Sequence, residues 1–260
     1  MGFNVFGKFI PWYGFFIAIG SIFAITLGLF LCKKKDLDSN SFILICAYLF
    51  GFGFFGAKLL YIIVSFNSLN YNYIFESIDT FNAFIGSGFV FYGGILGGLL
   101  GILFITKIHS IVMSEYLKIL SPCLSLLHAF GRIGCSFAGC CYGKETLGSF
   151  YFCYHHSIVA PNNIHLFPVQ GIESFFLFIL TGILIYLLLK KPELKIHYIY
   201  LLSYSLIRFG LEFMRGDVER GMFGVFSISQ IISLWLLSCI IICFIRNILN
   251  LNSKEKKCSV

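Results

Sequence analysis

"PWYGFFIAIGSIFAITLGLFLCKKK", residues 11–35, decides how the rest of this chain is read. An apolar run of about 20 residues is long enough to cross a bilayer as a helix. Pro11 suits the start of that helix, where its missing N–H would have had no partner. Trp12 and Tyr13 match the aromatic residues that anchor a span at the membrane interface. Lys33, Lys34 and Lys35 close the run with positive charge. It lacks the basic leader and small-residue cleavage site of a secretory signal, so it is expected to stay as a membrane helix.

The remainder of the chain repeats this pattern. It is 58% hydrophobic and 12% charged, against about 25% charged in soluble domains. Apolar stretches fall at roughly 11–31, 41–65, 88–106, 110–130, 171–189, 196–214 and 226–246. They predict an all-α integral membrane protein of seven transmembrane helices, one polytopic domain over residues 1–260. The fourth is the weakest, because Glu115 and Lys118 interrupt it.

Lysines set the orientation. Lys33–Lys35, Lys107, Lys190, Lys191 and Lys195 follow the odd-numbered spans, and Arg246, Lys254, Lys256 and Lys257 follow the seventh. Residues 66–87 hold no Lys or Arg, only Glu76 and Asp79. The positive-inside rule therefore puts the N-terminus outside and the C-terminus in the cytoplasm, with 66–87, 131–170 and 215–225 as outer-face loops. The net charge of +7 is mostly this topogenic lysine and gives no reason to expect nucleic acid as a partner.

Charges within spans are costly and mark function. In "SYSLIRFGLEFMRGD", residues 203–217, Tyr204, Arg208 and Glu212 recur every four residues and Arg215 follows three later. Such spacing lines them along one helical face. A structural ion pair is the plain reading. Two arginines against one glutamate leave a surplus of positive charge, which favours a cavity for an anion such as phosphate. Arg132, between Gly131 and Gly134, is a third arginine, and its glycines allow close backbone approach. "SGFVFYGGILGGLLG", residues 87–101, carries Gly93, Gly94, Gly97 and Gly98 at the spacing that lets membrane helices pack closely. Tyr92 within it is either an interfacial aromatic or a hydroxyl facing a cavity. In "FPVQGIESFF", Glu173 in a first helical turn is explained by the helix dipole.

Of ten cysteines, Cys135, Cys140, Cys141 and Cys153 cluster in one expected outer loop. A disulfide from Cys140 or Cys141 to Cys153 is the favoured reading there. The spacing C-x4-C-C is not a standard zinc pattern, so no metal is expected. Catalytic redox chemistry ranks lower, because no C-x-x-C motif is present.

Taken in order, "WYG" at 12–14, "FYGGILGG" at 91–98, "GRIG" at 131–134, "GCCYG" at 139–143, "PVQGIE" at 168–173 and "YSLIRFGLEFMR" at 204–215 resemble the prolipoprotein diacylglyceryl transferases over nearly the whole chain. The resemblance implies a multi-pass enzyme of the bacterial inner membrane. It would transfer the diacylglyceryl group of phosphatidylglycerol to the lipobox cysteine of prolipoproteins, without a cofactor. It implies catalytic roles for Arg132, Arg208, Tyr92 and Tyr204. It implies substrate binding by Tyr13, Gly93, Gly94, Gly131, Gly134, Glu212 and Arg215. Tyr92 stands where many members have histidine, and Cys135, Ala138 and Cys140 stand where asparagines and a glutamate are usual. Two other readings stay open: a non-catalytic or transport-type lipid-binding relative, and a membrane thiol oxidoreductase using the outer cysteines.

Overall fold

A computed structural model of the chain describes residues 1–242 apart from 6, 68, 70, 218–221 and 225. Residues 243–246 of the expected seventh span, the basic residues from Arg246 onward, Cys243 and Cys258 lie outside the described residues. So do residues 218–221 and 225 of the expected loop 215–225.

Over the described residues the chain is predominantly helical and forms two compact units, one of residues 1–28 together with those from 117 onward, the other of residues 29–116. Its long helices are α1 (Trp12–Lys34), α2 (Ser39–Val64), α5 (Phe91–His109), α6 (Met113–Ala138), α7 (Val169–Lys190), α8 (Ile196–Glu212) and α9 (Ile228–Ile242). Two short ones, α3 (Tyr71–Ile74) and α4 (Ile78–Gly86), fall in the expected loop 66–87. Three two-stranded antiparallel ribbons complete it: β1 (Gly2–Val5) with β2 (Lys8–Pro11), β3 (Phe152–Cys153) with β4 (His165–Leu166), and β5 (Met222–Phe223) with β6 (Phe226–Ser227).

Among the described residues, four helices are long and apolar enough to cross a membrane: α1, α2, α5 from Tyr92, and α7. The fourth and sixth expected spans form helices but fall short of that standard. α6 carries Glu115, Lys118 and Arg132 and has Pro122 inside it. α8 is 17 residues long and carries Arg208 and Glu212. Of this polarity, Arg132, Arg208 and Glu212 belong to the site described below.

In the 29–116 unit, α2 starts at Asp38, whose carboxylate accepts from the backbone N–H groups of Asn40 and Ser41 at 3.1 and 2.8 Å. These bonds, together with one from the Ser41 hydroxyl, hold the exposed Asp38 carboxyl below its ordinary pKa. α2 and α5 pack along their lengths through the glycines singled out above. A Cβ at Gly93 would run into the carbonyl of Gly56, and one at Gly97 into that of Phe52. Small residues let helix backbones meet this closely. Lys58, a charge in α2 that hydropathy did not single out, donates to the carbonyls of Phe84 and Ser87 and lies over the Phe84 ring.

In the other unit, α6 is pinned to α7 by hydroxyl bonds. Ser125 Oγ donates to Leu177 O at 3.0 Å, and Ser174 Oγ to Ala129 O at 2.9 Å. α6 does not end near residue 130 but runs to Ala138, so Arg132 and Cys135 are helical rather than in a loop. Gly131 and Gly134 survive in this helix because α1 lies against them. A Cβ on Gly134 would sit 3.2 Å from Tyr13 Cα, and one on Gly131 3.3 Å from Ile17 Cδ1. α9 begins at Ser227, where the Ser227 and Gln230 side chains cap each other's backbone N–H groups at 3.2 and 3.0 Å.

Candidate active site

Six charged side chains from four segments form one alternating chain. Arg132 on α6 places Nε 3.0 Å from Glu173 Oε1 on α7, just past that helix's first turn. Glu173 Oε2 faces Arg208 Nη1 on α8 at 3.8 Å. Arg208 Nη2 meets Glu212 Oε2 one turn on at 2.6 Å, and Glu212 faces Arg215 Nη1 at 3.9 Å. Arg215 closes on Asp217, donating from Nε to Oδ1 at 2.9 Å. Glu173 is 1% exposed, Arg208 7% and Arg215 6%.

Helical spacing explains much of this. Tyr204, Arg208 and Glu212 stack on one face of α8, as their four-residue period predicts. Arg215 lies beyond the helix end. It is held there by a bridge in which Lys144 N donates to Met214 O and Gly216 N to Tyr142 O, both at 2.9 Å. Arg208 also donates from Nη2 to Ser229 Oγ on α9 at 3.1 Å.

Three residues were missed by sequence reasoning: Glu173, Asp217 and the neighbouring His128. Glu173 was expected in a first helical turn serving the dipole, but it lies past the first turn of α7, and its side chain turns inward and joins α6 to α8. His128 precedes Arg132 by one turn. It lies 3.8 Å from Glu173 and packs edge-on to Tyr204 with ring centroids 4.9 Å apart. The four-residue spacing of His128 and Arg132 was the available signal. The positive surplus expected from Arg208, Glu212 and Arg215 is not found: Glu173 and Asp217 bring three carboxylates against three guanidiniums. Their balance is charge only. Arg132 Nε, Arg208 Nη1 and both Glu173 oxygens are buried with ion-pair partners but no hydrogen bond among the described residues. Buried polar groups in that condition call for a water or ligand.

Beside this chain lies a turn of thiols. α6 ends in Gly139 at φ +74°, and Cys141 adopts φ +58°. A side chain at Gly139 would run into Ser157 Oγ, so glycine is required twice over there. The two left-handed residues fold Cys140 and Cys141 back over Cys135. The three Sγ atoms lie within 4.8 Å of one another. Gln170 Nε2 fixes the turn by donating to Cys140 O at 2.9 Å. Cys141 is pulled well below an ordinary thiol pKa by the S–H groups of Cys135 and Cys140, with Arg132 and Arg215 adding to the effect. The expected bridge to Cys153 is absent: Cys135, Cys140, Cys141 and Cys153 are all free thiols. The reason is geometric. Cys153 sits on β3, while the helix end turns Cys140 and Cys141 toward Cys135.

The other expected site residues divide between the two units. Tyr13 on α1 packs against Gly134 and is 47% exposed. Tyr204 belongs to the charge chain's helix. Gly131 and Gly134 accommodate α1. Gly93 and Gly94 lie on α5 in the 29–116 unit, where Gly93 has a packing role against α2. Tyr92, at the start of the same helix, is 42% exposed.

Comparison with known proteins bears on this arrangement. Residues 2–246 match the family model of prolipoprotein diacylglyceryl transferase. The phosphatidylglycerol–prolipoprotein diacylglyceryl transferase of Clostridium tetani is 36% identical over 95% of this chain and 96% of its own length. A second transferase of that name from Clostridium perfringens is 34% identical over 90% of each chain. The Clostridium botulinum protein is 31% identical over 99% of this chain and 98% of its own.

Proposed function

The chain belongs to the prolipoprotein diacylglyceryl transferase family, and we propose that the arginine–carboxylate chain is where its reaction takes place. The enzyme transfers the diacylglyceryl group of phosphatidylglycerol to the lipobox cysteine thiol of a prolipoprotein. The sulfur–carbon bond forms at the glyceryl carbon, the carbon–oxygen bond to phosphate breaks, and glycerol phosphate leaves with the electron pair. Charge therefore grows on a phosphate ester in a site shielded from water.

Arg132 and Arg208 take that charge. The observation that carries the reading is that guanidiniums from α6 and α8 are brought to one buried carboxylate, Glu173, and keep nitrogens without hydrogen bonds. A phosphodiester offers those nitrogens the paired oxygen acceptors that arginine recognises. Fixed donors aimed at developing charge are the largest common source of rate enhancement. Glu212 and Arg215 hold Arg208 in place and, with Gly131 and Gly134, shape the lipid site. Tyr204 supplies a hydroxyl for catalysis, and Tyr92 contacts substrate without acting as a base. Tyr13, Gly93 and Gly94 are substrate-binding residues in this reading.

In this reading the chain is one polytopic domain of the bacterial inner membrane. It has seven spans, the N-terminus outside, the C-terminus in the cytoplasm and outer-face connections at 66–87, 139–170 and 215–225. The alternation of lysine-rich and lysine-poor connections supports that orientation. Exclusive labelling of Cys258 from the cytoplasmic side is expected, and labelling from outside would overturn it. For the chemistry, purified protein should move labelled diacylglyceryl from phosphatidylglycerol to a lipobox peptide. Arg132→Ala and Arg208→Ala should each lose on the order of 10²–10³ in rate. Full activity in both would end this assignment, and an inactive parent protein would favour a lipid-binding relative.

A further inference from the structure

We propose that Cys135, Cys140 and Cys141 form a three-thiolate site for a zinc-class cation, whose open fourth position receives the acceptor thiol. The metal site stands on the cysteine geometry alone. The role of the fourth position rests on the transferase reading above.

The sequence argues against metal, because C-x4-C-C lacks the paired spacing of familiar zinc motifs. The fold removes that objection. The C-terminal turn of α6 followed by left-handed residues at Gly139 and Cys141 brings all three Sγ atoms within 4.8 Å of one another. Zinc–sulfur bonds of about 2.3 Å put tetrahedral ligands about 3.8 Å apart, so closing on a cation needs a contraction of about 1 Å. Side-chain rotation at the half-buried Cys140 and Cys141 can supply it.

Cys141 is not glycine, yet it holds a left-handed backbone, an arrangement that persists only where the surroundings impose it. Those surroundings are visible. Gln170, 1% exposed, holds the Cys140 carbonyl. The Gly143–Arg215 bridge fixes the chain two residues beyond Cys141. Outer contacts of this kind are what orient metal ligands.

Charge and access also fit. Three thiolates and a dication carry one net negative charge. Arg132, one helical turn before Cys135, and Arg215, bridged to Gly143 two residues after Cys141, flank that charge with cations. Cys135 is 8% exposed while Cys140 and Cys141 are more open, so the cation and an incoming thiol reach the site from the Cys140–Cys141 side. Three protein ligands with one open position is the arrangement of catalytic rather than structural zinc.

At that position the acceptor R–SH binds as thiolate and releases its proton to solvent, since a coordinated thiol is deprotonated. Its sulfur then attacks the glyceryl carbon of phosphatidylglycerol. The S–C bond forms, the C–O bond breaks, and the electron pair leaves with glycerol phosphate beside Arg132 and Arg208. The product thioether is a poorer ligand than a thiolate and departs.

The test uses the full chain, purified in detergent, reduced and stripped with chelator, then titrated with cobalt(II). One cobalt per chain with sulfur-to-cobalt charge-transfer absorption and tetrahedral visible bands is expected, and zinc(II) should displace it. No stoichiometric cobalt in the unaltered protein would overturn the site without reference to any variant. Cys135→Ser, Cys140→Ser and Cys141→Ser should each weaken binding by at least about tenfold, the smallest loss seen even for outer-shell changes, while Cys153→Ser should leave it unchanged. Equal binding in a triple serine variant would also overturn it. A lipobox peptide should shift the visible bands, and its Cys→Ala counterpart should not. Cobalt binding with no shift refutes the open position and leaves the metal site standing. Equal transfer by stripped and zinc-loaded protein refutes the acceptor role while the transferase reading survives. Metal binding without any transfer refutes that reading instead.

Discussion

Glu173→Gln isolates what the charge chain costs and what it does. Glu173 is 1% exposed, 3.0 Å from Arg132 and 3.8 Å from Arg208. At an effective dielectric of about 20, contacts of that length contribute about 5 and about 4 kcal/mol of attraction. Returning the carboxylate to water recovers several kcal/mol of that sum. Removing one member of a buried ion pair costs a net of about 3–5 kcal/mol, because the partner charges stay buried and uncompensated. Glutamine keeps the volume and one acceptor for Arg132 Nε, so packing is not the variable. Unfolding in mixed micelles without phosphatidylglycerol should therefore show a loss of about 3–5 kcal/mol. Adding phosphatidylglycerol should restore more stability to the variant than to the parent, since an anionic head group replaces the missing charge. Glu76→Gln, an exposed residue of the 29–116 unit, should change stability by less than about 0.5 kcal/mol. A Glu173→Gln protein as stable as the parent, or one that gains no more from the lipid, would refute the claim that Glu173 holds two buried arginines for a phosphate.

Lysine at Arg132 or Arg208 should rescue only part of the activity lost in the alanine variants, because a point charge cannot present the planar fork; full rescue in the transfer assay would count against bidentate phosphate contact. Tyr92→Phe should have a mild effect and leave the pH–rate profile in place. A phenol hydroxyl is a poor general base at neutral pH, and a sharp loss would make the Tyr92 hydroxyl a proton relay. Asp38 has a folded pKa below its unfolded value, so its capping contribution is present above the ordinary carboxylate range and fades as pH falls through the folded pKa. Asp38→Asn should flatten the acid limb of the stability–pH curve, read by thermal unfolding from pH 7 downward, and an unchanged limb would show that the cap is not coupled to folding.

Length, composition and periodicity carried the helical membrane class and the approximate position of every long helix. Backbone polar groups in lipid must be satisfied within the segment, which ties an apolar run of given length to a helix. The charged face of α8 was legible for a related reason, since a four-residue period can only stack on one side of a helix. What was not legible depended on partners distant in sequence. Glu173 was expected to serve a helix dipole, and only the approach of α6 and α8 gives it two arginines. Hydropathy counts Arg132, Arg208 and Glu212 against their helices, although in the fold Arg132 pairs with Glu173 and Arg208 with Glu212. The thiols show the same limit most sharply. Spacing along the chain favoured a disulfide to Cys153 and spoke against metal, but where a side chain points is set by backbone dihedrals at the end of α6. Two left-handed residues, held by Gln170 and by the Gly143–Arg215 bridge, turn Cys140 and Cys141 onto Cys135. Sequence determines which groups are present and their local period, while their convergence is a property of packing, because it needs contacts that only the folded chain can make.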